Sequence, residues 1–229
     1  MMNKKRTCSF VRDQIKQARE SRDLLARCWD EPVTGSALKE RVPSDCELTY
    51  QHSKEVKQQG DLFERCVDLA EANVKDMTER AWGWNRSRTA RDMGHPSSRF
   101  LICLRGSTEL LGFVCLRFDN KDLQNEEDRP WGTYIYELQV KETARNSGLG
   151  SVLLDTIVSI SQLVNANCVR LTCFKENTKA LRFYQRHGFE VDEELPKCYV
   201  LRKTFDDISS IEVSDPSKPS NSSDSTPSK

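Results

Sequence analysis

Apolar residues recur along this chain with two periods, one typical of strands and one typical of helices. Gly132 to Val140 (GTYIYELQV) is aromatic and β-branched, which predicts a strand. From about Gly148 to Val164 the spacing instead predicts a helix with one buried face, formed by Val152, Leu153, Ile157, Ile160 and Val164. Cys168 to Phe174 predicts another strand, and Asn177 begins another helix. The centre of the chain therefore alternates strand, helix, strand and helix.

Further elements are predicted on both sides of this centre. Asp45 to His52 alternates like a first strand, and Gly60-Asp61 opens a long helix that ends before Trp82. A strand pair follows in Arg99 to Arg105 and Leu110 to Phe118, and Lys197 to Phe205 predicts the last strand. This order predicts an α/β (α+β) fold with a mixed central sheet flanked by helices on both faces.

The two ends of the chain differ from this central region. Phe10 to Asp30 has helical periodicity and predicts an amphipathic helix packed outside the core, with a partner-binding helix as the alternative. Pro32 to Pro43 predicts a linker, and the Ser- and Pro-rich sequence after Asp206 predicts a disordered tail. The expected division is an N-terminal helix and linker (1–44), a folded domain (45–205) and a tail (206–229).

Composition narrows the possible partners. The chain has 229 residues, a hydrophobic fraction of 37% and a formal net charge of zero, so direct binding of nucleic acid is not indicated. Residues 119–129 nevertheless carry two positive and five negative charges, which suggests a locally acidic loop.

The cysteines and histidines do not form a recognisable metal or disulfide pattern. Nine cysteines occur without a C-x-x-C pair, and the three histidines do not cluster with them. This predicts reduced thiols, no metal, and a location in the nucleus and cytoplasm. Cys103, Cys115 and Cys173 lie in strand-like runs and are expected to be core residues. No apolar run reaches the roughly eighteen residues that span a membrane, so no membrane association is expected.

The turn between the central strand and its helix carries candidate chemistry. It reads Arg145-x-x-Gly148-x-Gly150. A loop that enters a helix N-terminus presents unpaired N–H groups and the positive end of the helix dipole, and glycine lets an anion approach closely. Such a turn suits a phosphate or pyrophosphate. From the spacing alone, a strand-to-helix turn without a ligand is an equal alternative.

Together with a second motif, this turn resembles the GCN5-related N-acetyltransferase (GNAT) superfamily. The second motif is the N-x-x-A-x-x-F-Y-x-x-x-G-F run that begins at Asn177. The resemblance implies the GNAT fold and acetyl-CoA as co-substrate. It implies an acetyl-CoA site formed by Leu138, Gln139, Val140, Arg145, Asn146, Ser147, Gly148, Leu149, Gly150, Ser151, Asn177 and Tyr184.

A narrower resemblance is to the N-terminal acetyltransferase D (NatD) family, which acetylates the α-amino group of histones that begin Ser-Gly-Arg-Gly. It depends on W-G-W at Trp82, F-D at Phe118, Y-I-Y-E-L-Q-V at Tyr134, F-K-x-N at Phe174, and Tyr199. It implies a peptide site that contains Trp82, Asp119, Tyr134, Tyr136, Glu137 and Tyr199. In one departure, Met77 stands where the family has a tyrosine that reaches the peptide, so that contact is lost or supplied elsewhere.

The chemistry of acetyl transfer suggests a base and an acid. An α-amine with a pKa near 8 is roughly a tenth neutral at pH 7, so a modest base suffices, and Glu137 in its aromatic setting is the first candidate. Strict alternation would place Glu137 and its tyrosine neighbours, Tyr134 and Tyr136, on opposite faces. A bulge would bring them together; without one, Glu137 would be a structural ion-pair residue.

Tyr184 is the candidate general acid. It lies about two helical turns beyond Asn177, which is itself expected to be an N-cap. The alternative is a buried tyrosine whose hydroxyl donates to a backbone carbonyl. Asp119, at the start of the acidic loop, is expected to pair with a cation of the substrate.

The resulting expectation is a monomeric, acetyl-CoA-dependent N-terminal α-amino acetyltransferase that acts on histone N-terminal peptides by direct attack. One alternative is a histone lysine or polyamine acetyltransferase on the same fold. Another is a non-catalytic acyl-CoA-binding module that docks partners through its N-terminal helix.

Overall fold

The computed structural model describes residues 13–32, 34–119 and 131–205, with Asp119 described only for its backbone. Within these ranges, seven strands form one mixed sheet in the order β1-β2-β3-β4-β5-β7-β6. Only the β4–β5 pair is parallel among these neighbours. The strands are β1 (Cys46–His52), β2 (Arg99–Arg105), β3 (Glu109–Asp119), β4 (Gly132–Val140), β5 (Cys168–Phe174), β6 (Glu190–Glu194) and β7 (Cys198–Thr204).

Helices cover both faces of the sheet. They are α1 (residues 13–20), α2 (Leu24–Trp29), α3 (Gly35–Glu40), α4 (Ser53–Lys57), α5 (Leu62–Trp82), α6 (Arg86–Met93), α7 (Leu149–Leu163) and α8 (Thr178–Arg186). On one face, α7 packs with α1, α2, α3 and α8 in the larger apolar cluster. On the other face, α4, α5 and α6 close a second cluster around Phe100 and Phe113. The predicted mixed sheet with helices on both sides is confirmed.

The central elements follow the sequence prediction closely. β4 and β5 have the predicted bounds, and α7 begins one residue after Gly148 and ends one residue before Val164. The β2–β3 hairpin is also as predicted, and it turns at Gly106 and Ser107, which both have positive φ. Strong periodicity identifies these elements because each buries one or both faces.

The edge strand β6 was not predicted. Its sequence, EVDEE, has a single apolar residue, so alternation gives no signal. A bulge at Asp192 interrupts its pairing with β7, and the Asp192 carboxylate forms ion pairs of 3.0 Å with Arg170 and Arg202. Charges and a bulge on an edge strand oppose pairing with another chain.

The single N-terminal helix predicted for Phe10 to Asp30 is wrong, because two helices occur with a break at residues 21–23. A straight helix would place Arg22 on the apolar stripe between Ala18 and Leu25. The break instead lets Arg22 form an exposed ion pair of 3.3 Å with Glu55. The packing of this segment outside the central sheet is confirmed, since Ile15 and Ala18 are buried against the core.

The predicted linker from Pro32 to Pro43 is also wrong where it contains α3. Leu38 of this helix is buried, and Gly35 lies so close to α2 that an added Cβ would be 2.3 Å from the Cys28 carbonyl oxygen. Packing against α2 and α7 therefore orders a segment whose composition suggests a linker.

Smaller differences between the prediction and the structure concern the end of one helix and the presence of two short helices. α5 includes Trp82 and ends at Gly83, whose φ is 85°, instead of ending before the tryptophan. The short helices α4 and α6 were not predicted. The acidic loop from residue 120 to residue 130 and the tail after residue 205 lie outside the described residues.

The described cysteines are eight free thiols, and Cys103, Cys115 and Cys173 are buried as expected. Among the helices of the described segments, none combines the length and the apolar character needed to cross a bilayer.

We expect Leu24→Ala to lower the free energy of unfolding by about 2–5 kcal/mol, because this fully buried side chain joins the N-terminal helices to the main core. Chemical denaturation should show one cooperative transition. The matched control Val191→Ala, at a half-exposed position, should change stability by less than about 0.5 kcal/mol. A separate early transition affected only by Leu24→Ala would show instead that residues 1–44 form an independent unit.

Candidate active site

A gap opens between the two parallel strands at the centre of the sheet. β4 and β5 are paired from Gly132 and Cys168 as far as Ile135 and Leu171. At the closed end they approach so tightly that a Cβ on Gly132 would lie 2.6 Å from the Cys168 carbonyl oxygen. Beyond Ile135, both strands continue but have no further pairs with each other in these fully described segments. The main chain of Leu138 to Val140 therefore faces this gap without a β5 partner.

The glycine turn lies directly beyond the open end of β4. Gly148 caps α7 in the left-handed conformation with φ of 88°, and Asn146 also has positive φ of 63°. Ser147 stabilises the turn by donating its hydroxyl to the Ala144 carbonyl at 2.8 Å. The first turn of the 15-residue helix leaves N–H groups, including those of Gly150 and Ser151, without intrahelical acceptors. The geometry fits the anion site that the sequence predicts.

A β-bulge at Tyr136 changes the direction of the side chains along β4. Cys115 of β3 is opposite Glu137, whereas the next residue, Leu116, is opposite Ile135. The extra residue places Tyr134, Tyr136 and Glu137 on the α5 side of the sheet, and the Tyr134 and Tyr136 ring centres are 4.9 Å apart. The bulge on which the assignment of Glu137 depended is therefore present.

Glu137 is only partly exposed and accepts a hydrogen bond of 2.7 Å from Gln139 Nε2. Burial raises the pKa of Glu137 to about 7, while the hydrogen bond from Gln139 acts in the opposite direction. In the described part of the chain, Glu137 has no ion-pair partner, so the structural ion-pair alternative gains no support. A carboxylate with a pKa near neutrality is suited to proton transfer.

Tyr184 approaches from the other face of the sheet. It is buried in the larger cluster beside Phe183 and Phe189. Burial raises the pKa of its phenol, with smaller contributions from Cys173 and from the charge of Glu137, so the hydroxyl keeps its proton. Among the described residues no backbone carbonyl accepts from this hydroxyl, contrary to the structural alternative.

Asn177 is the N-cap of α8, as predicted. Its side-chain oxygen accepts from the Ala180 N–H at 3.1 Å. This cap fixes the start of the helix that carries Tyr184.

The residues predicted for the peptide lie around the gap to different extents. Trp82 is 57% exposed and its ring centre is 5.0 Å from that of Phe174, so it bridges α5 and the end of β5. Tyr134 shares a hydrogen bond of 2.6 Å with Thr172 of β5. Tyr199 lies on β7 with the Lys175 ammonium 5.0 Å from its ring centre.

The structure says less about the peptide-binding roles of Met77 and Asp119. Met77 is a partly exposed residue of α5 that lines a shallow cavity of about 400 Å³ with Asn73 and Arg80. Asp119 ends β3, where its backbone pairs with Gly132, but its side chain lies outside the described atoms.

Sequence reasoning missed Arg117, which supports the aromatic pair. Its side chain is buried and donates to Ser98 Oγ at 3.0 Å, to the Tyr136 hydroxyl at 3.2 Å and to the Asp92 carbonyl. The guanidinium also lies 4.1 Å from the centre of the Tyr136 ring. The sequence did contain an indication of this buried position, because alternation along the strand places Arg117 on the same face as the apolar residues Phe113 and Cys115.

The site offers neither a metal centre nor an activated thiol among the described residues. No group of three or more potential metal ligands is found there. Burial raises the pKa of every described cysteine. For Cys173, which lies near Tyr184, the pKa is raised to about 11. These thiols are protonated near neutral pH and are poor nucleophiles.

Comparisons with known proteins agree on one family. A family model described as "Acetyltransferase (GNAT) family" matches residues 64–189. Spermine/spermidine N(1)-acetyltransferase of Bacillus subtilis (strain 168) is 29% identical over 89 residues, which are 38% of this chain and 57% of that protein. The chain spans only about half the length of the curated relatives that it matches.

Solved structures show the same fold at low identity. The PaiA N-acetyltransferase of Thermoplasma acidophilum, in complex with coenzyme A, has a TM-score of 0.51 and 15% identity and covers 70% of this chain and 99% of its own. The NatC complex bound to Gag peptide and CoA has a TM-score of 0.51 and 16% identity, with coverage of 69% and 99%.

The partly buried Glu137 should make the free energy of unfolding depend on pH. Its folded pKa of about 7 lies above the usual value of 4.5, so its contribution to stability is complete below pH 4.5 and is lost as pH rises through 7. Between these values we expect Glu137→Gln to gain about 2–3 kcal/mol relative to the unmodified protein. Urea denaturation at a series of pH values measures this difference.

Glu190→Gln, at an exposed position of β6, is the matched control and should follow the unmodified protein at every pH. Parallel stability curves for Glu137→Gln and the unmodified protein would contradict the raised pKa.

Proposed function

This chain belongs to the acetyltransferase (GNAT) family, and we propose that it transfers the acetyl group of acetyl-CoA to the N-terminal α-amino group of histones that begin Ser-Gly-Arg-Gly. The observation that carries the proposal is the bulge at Tyr136, which brings Glu137 and two tyrosines to the gap between β4 and β5. The histone substrate is supported by the resemblance of the aromatic and acidic residues to the NatD family.

Acetyl-CoA supplies the acetyl group as an activated thioester. In the proposal, the turn at Arg145 to Ser151 binds its pyrophosphate through backbone N–H groups and the α7 dipole. The unpaired main chain of Leu138, Gln139 and Val140 binds its extended arm, as an additional strand would bind. Asn177 and Tyr184 complete this side of the gap. No residue of the chain needs to carry the acetyl group, since direct attack requires no enzyme nucleophile.

Glu137 acts as the general base, directly or through water. The amine nitrogen forms a bond to the thioester carbonyl carbon, and the proton lost from nitrogen passes to the Glu137 carboxylate. With a pKa of about 7, comparable amounts of carboxylate and acid exist at neutral pH, which suits a base that must accept and release a proton.

Tyr184 acts as the general acid. When the carbon–sulfur bond breaks, the phenol gives its proton to the departing sulfur. The proton held by Glu137 then passes to solvent and the Tyr184 phenolate takes one proton back from solvent, so both groups return to their starting states. Burial keeps this phenol protonated until it is needed. Tyr184 packs in the cluster on the α7 face, whereas Glu137 is opposite Cys115 of the cluster on the α5 face, and in the proposal the two groups serve opposite sides of the reacting carbon.

The acceptor side suits a short peptide terminus with a nearby cation. Trp82, Tyr134, Tyr136 and Tyr199 supply rigid aromatic surfaces, and Asp119 with the acidic loop supplies negative charge for the amine or the arginine of the substrate. Monomeric action in the nucleus and cytoplasm, without binding nucleic acid or membrane, remains the expectation from sequence.

A polyamine acetyltransferase is the second candidate, favoured by the similarity to the Bacillus subtilis spermine/spermidine enzyme. A histone lysine acetyltransferase would need a stronger base, because a lysine amine is far less often neutral at pH 7. A binding module without catalysis would not require a partly buried carboxylate with a raised pKa and a protonated phenol near one gap.

Incubation with acetyl-CoA and three acceptors separates these functions. We expect mass spectrometry to find acetyl on the first residue of a Ser-Gly-Arg-Gly-Lys peptide and none on the same peptide with a blocked terminus or on spermidine. Acetylated lysine in both peptides would establish the lysine enzyme instead. Product with spermidine alone would establish the polyamine enzyme, and coenzyme binding without any product would favour the module.

Glu137→Gln should lower kcat with the histone peptide by about 10²-fold or more, because the glutamine amide cannot accept the amine proton. Binding of acetyl-CoA, measured by calorimetry, should persist, because the loop at Gly148 is intact. Glu190→Gln is the control for loss of a carboxylate elsewhere. Unchanged turnover in Glu137→Gln would remove Glu137 from the role of base.

A further inference from the structure

We propose that Asn73 and Gln139 are positioning residues that connect the Arg145 turn to Glu137 through a directed chain of hydrogen bonds and hold Glu137 as a carboxylate. The inference rests on the proposed function of Glu137 as the base. It adds a residue from α5, a helix that contains neither the Arg145 turn nor the run that begins at Asn177. It also gives the side chain of Gln139 a role in addition to that of its main chain.

The chain of hydrogen bonds has four members. Arg145 Nη2 donates to Asn73 Oδ1 at 2.6 Å. Asn73 Nδ2 donates to Gln139 Oε1 at 3.0 Å and to the Val140 carbonyl at 3.1 Å. Gln139 Nε2 then donates to Glu137 Oε2 at 2.7 Å. The acetyl-CoA turn and the base are thus joined through two side-chain amides.

The donor chemistry of arginine sets the direction of this chain. A guanidinium can only donate, so Asn73 must present its oxygen to Arg145 and its NH₂ group to the other side. The Val140 carbonyl, which can only accept, requires the same orientation of Asn73. Gln139 must then turn its oxygen to Asn73 and its NH₂ group to Glu137. The last donor in the chain favours the carboxylate, which is the better acceptor.

Other ionisable groups around Glu137 do not replace this donor. Cys115 lies opposite on β3 with Cys66 of α5 behind it, and burial raises the pKa of both thiols, so they are neutral. Tyr184 from α8 is also protonated. Arg117 on β3 is charged, but its donors are directed to Ser98, Asp92 and Tyr136. Gln139 is therefore the group that offsets the effect of burial on Glu137.

The direct test is the titration of Glu137 in protein labelled with ¹³C at the glutamate side-chain carboxyl. NMR spectra between pH 5 and 10 give its pKa, and the signal is assigned by its loss in Glu137→Gln. In Gln139→Leu we expect the pKa of Glu137 to rise by about one unit, since a charge-assisted hydrogen bond is lost. Asn73→Leu should shift it in the same direction by less, because Gln139 remains but its amide is no longer oriented.

Lys75→Ala is the matched control on α5, because Lys75 forms an exposed ion pair with Glu71 outside the chain of hydrogen bonds. It should titrate like the unmodified protein. An unchanged pKa of Glu137 in both Gln139→Leu and Asn73→Leu would overturn the inference, whatever substrate the protein acetylates.

Activity provides the second readout. In Gln139→Leu the acidic limb of the kcat/KM profile should shift to higher pH by the same amount as the pKa of Glu137 measured by NMR. The activity lost at pH 7 should therefore be regained above pH 8.5. A rate reduced equally at every pH would mean a merely structural role and would overturn the inference. If the NMR shift occurs but no α-amine is acetylated, the positioning stands and the proposed substrate fails.

Discussion

The candidate site depends on one backbone irregularity, the additional residue at Tyr136 in β4. Without it, strict alternation would turn Glu137 toward α7, away from the aromatic pair formed by Tyr134 and Tyr136. With it, both tyrosines and the carboxylate share a face, while Ile135 still packs in the core under α7. The bulge also coincides with the point beyond which β4 no longer pairs with β5. One local change of register thus creates both the gap and its lining.

Rigid packing on the two faces holds this gap open. On the α7 face, Thr133 of β4 shares a hydrogen bond of 2.7 Å with Ser161, which fixes the helix that follows the glycine turn. On the α5 face, Arg117 supports Tyr136, and Asn73 joins the end of β4 to Arg145. The two strands are paired from Gly132 as far as Ile135, and at Gly132 they approach so closely that a Cβ would not fit. Sites supported by helices and strands hold their groups more exactly than sites on loops alone.

Burial gives the site its chemistry and lowers its stability. The carboxyl group of Glu137 is carried into a poorly solvated position, which brings its pKa near neutrality but makes the ionised protein less stable. The same effect keeps Tyr184 protonated and the cysteine thiols unreactive. Desolvation therefore leaves Glu137 able to accept a proton near neutral pH and Tyr184 able to donate one.

The sequence by itself determined the elements that bury regular apolar faces: β4, α7, β5 and the start of α8 at its Asn177 cap. It also indicated a glycine turn between β4 and α7 as a candidate anion site, and the structure gives Gly148 of this turn a positive φ that other residues rarely adopt. These features depend on local spacing and local backbone preference. The sequence also predicted Glu137 as the base and Tyr184 as the acid, but for each residue it left a structural role as the alternative.

Only the tertiary structure decided the features that depend on contacts between distant segments. The break at Arg22 and the helix at Leu38 follow from packing against the core, and β6 follows from its pairing with β7. Whether β4 contains a bulge depends on the register of β3, which no pattern within β4 reveals. Asn73 reaches Gln139 across 66 residues, and Arg145 lies 72 residues away from Asn73. Such contacts are invisible to periodicity, because it describes only which way each side chain points along its own element.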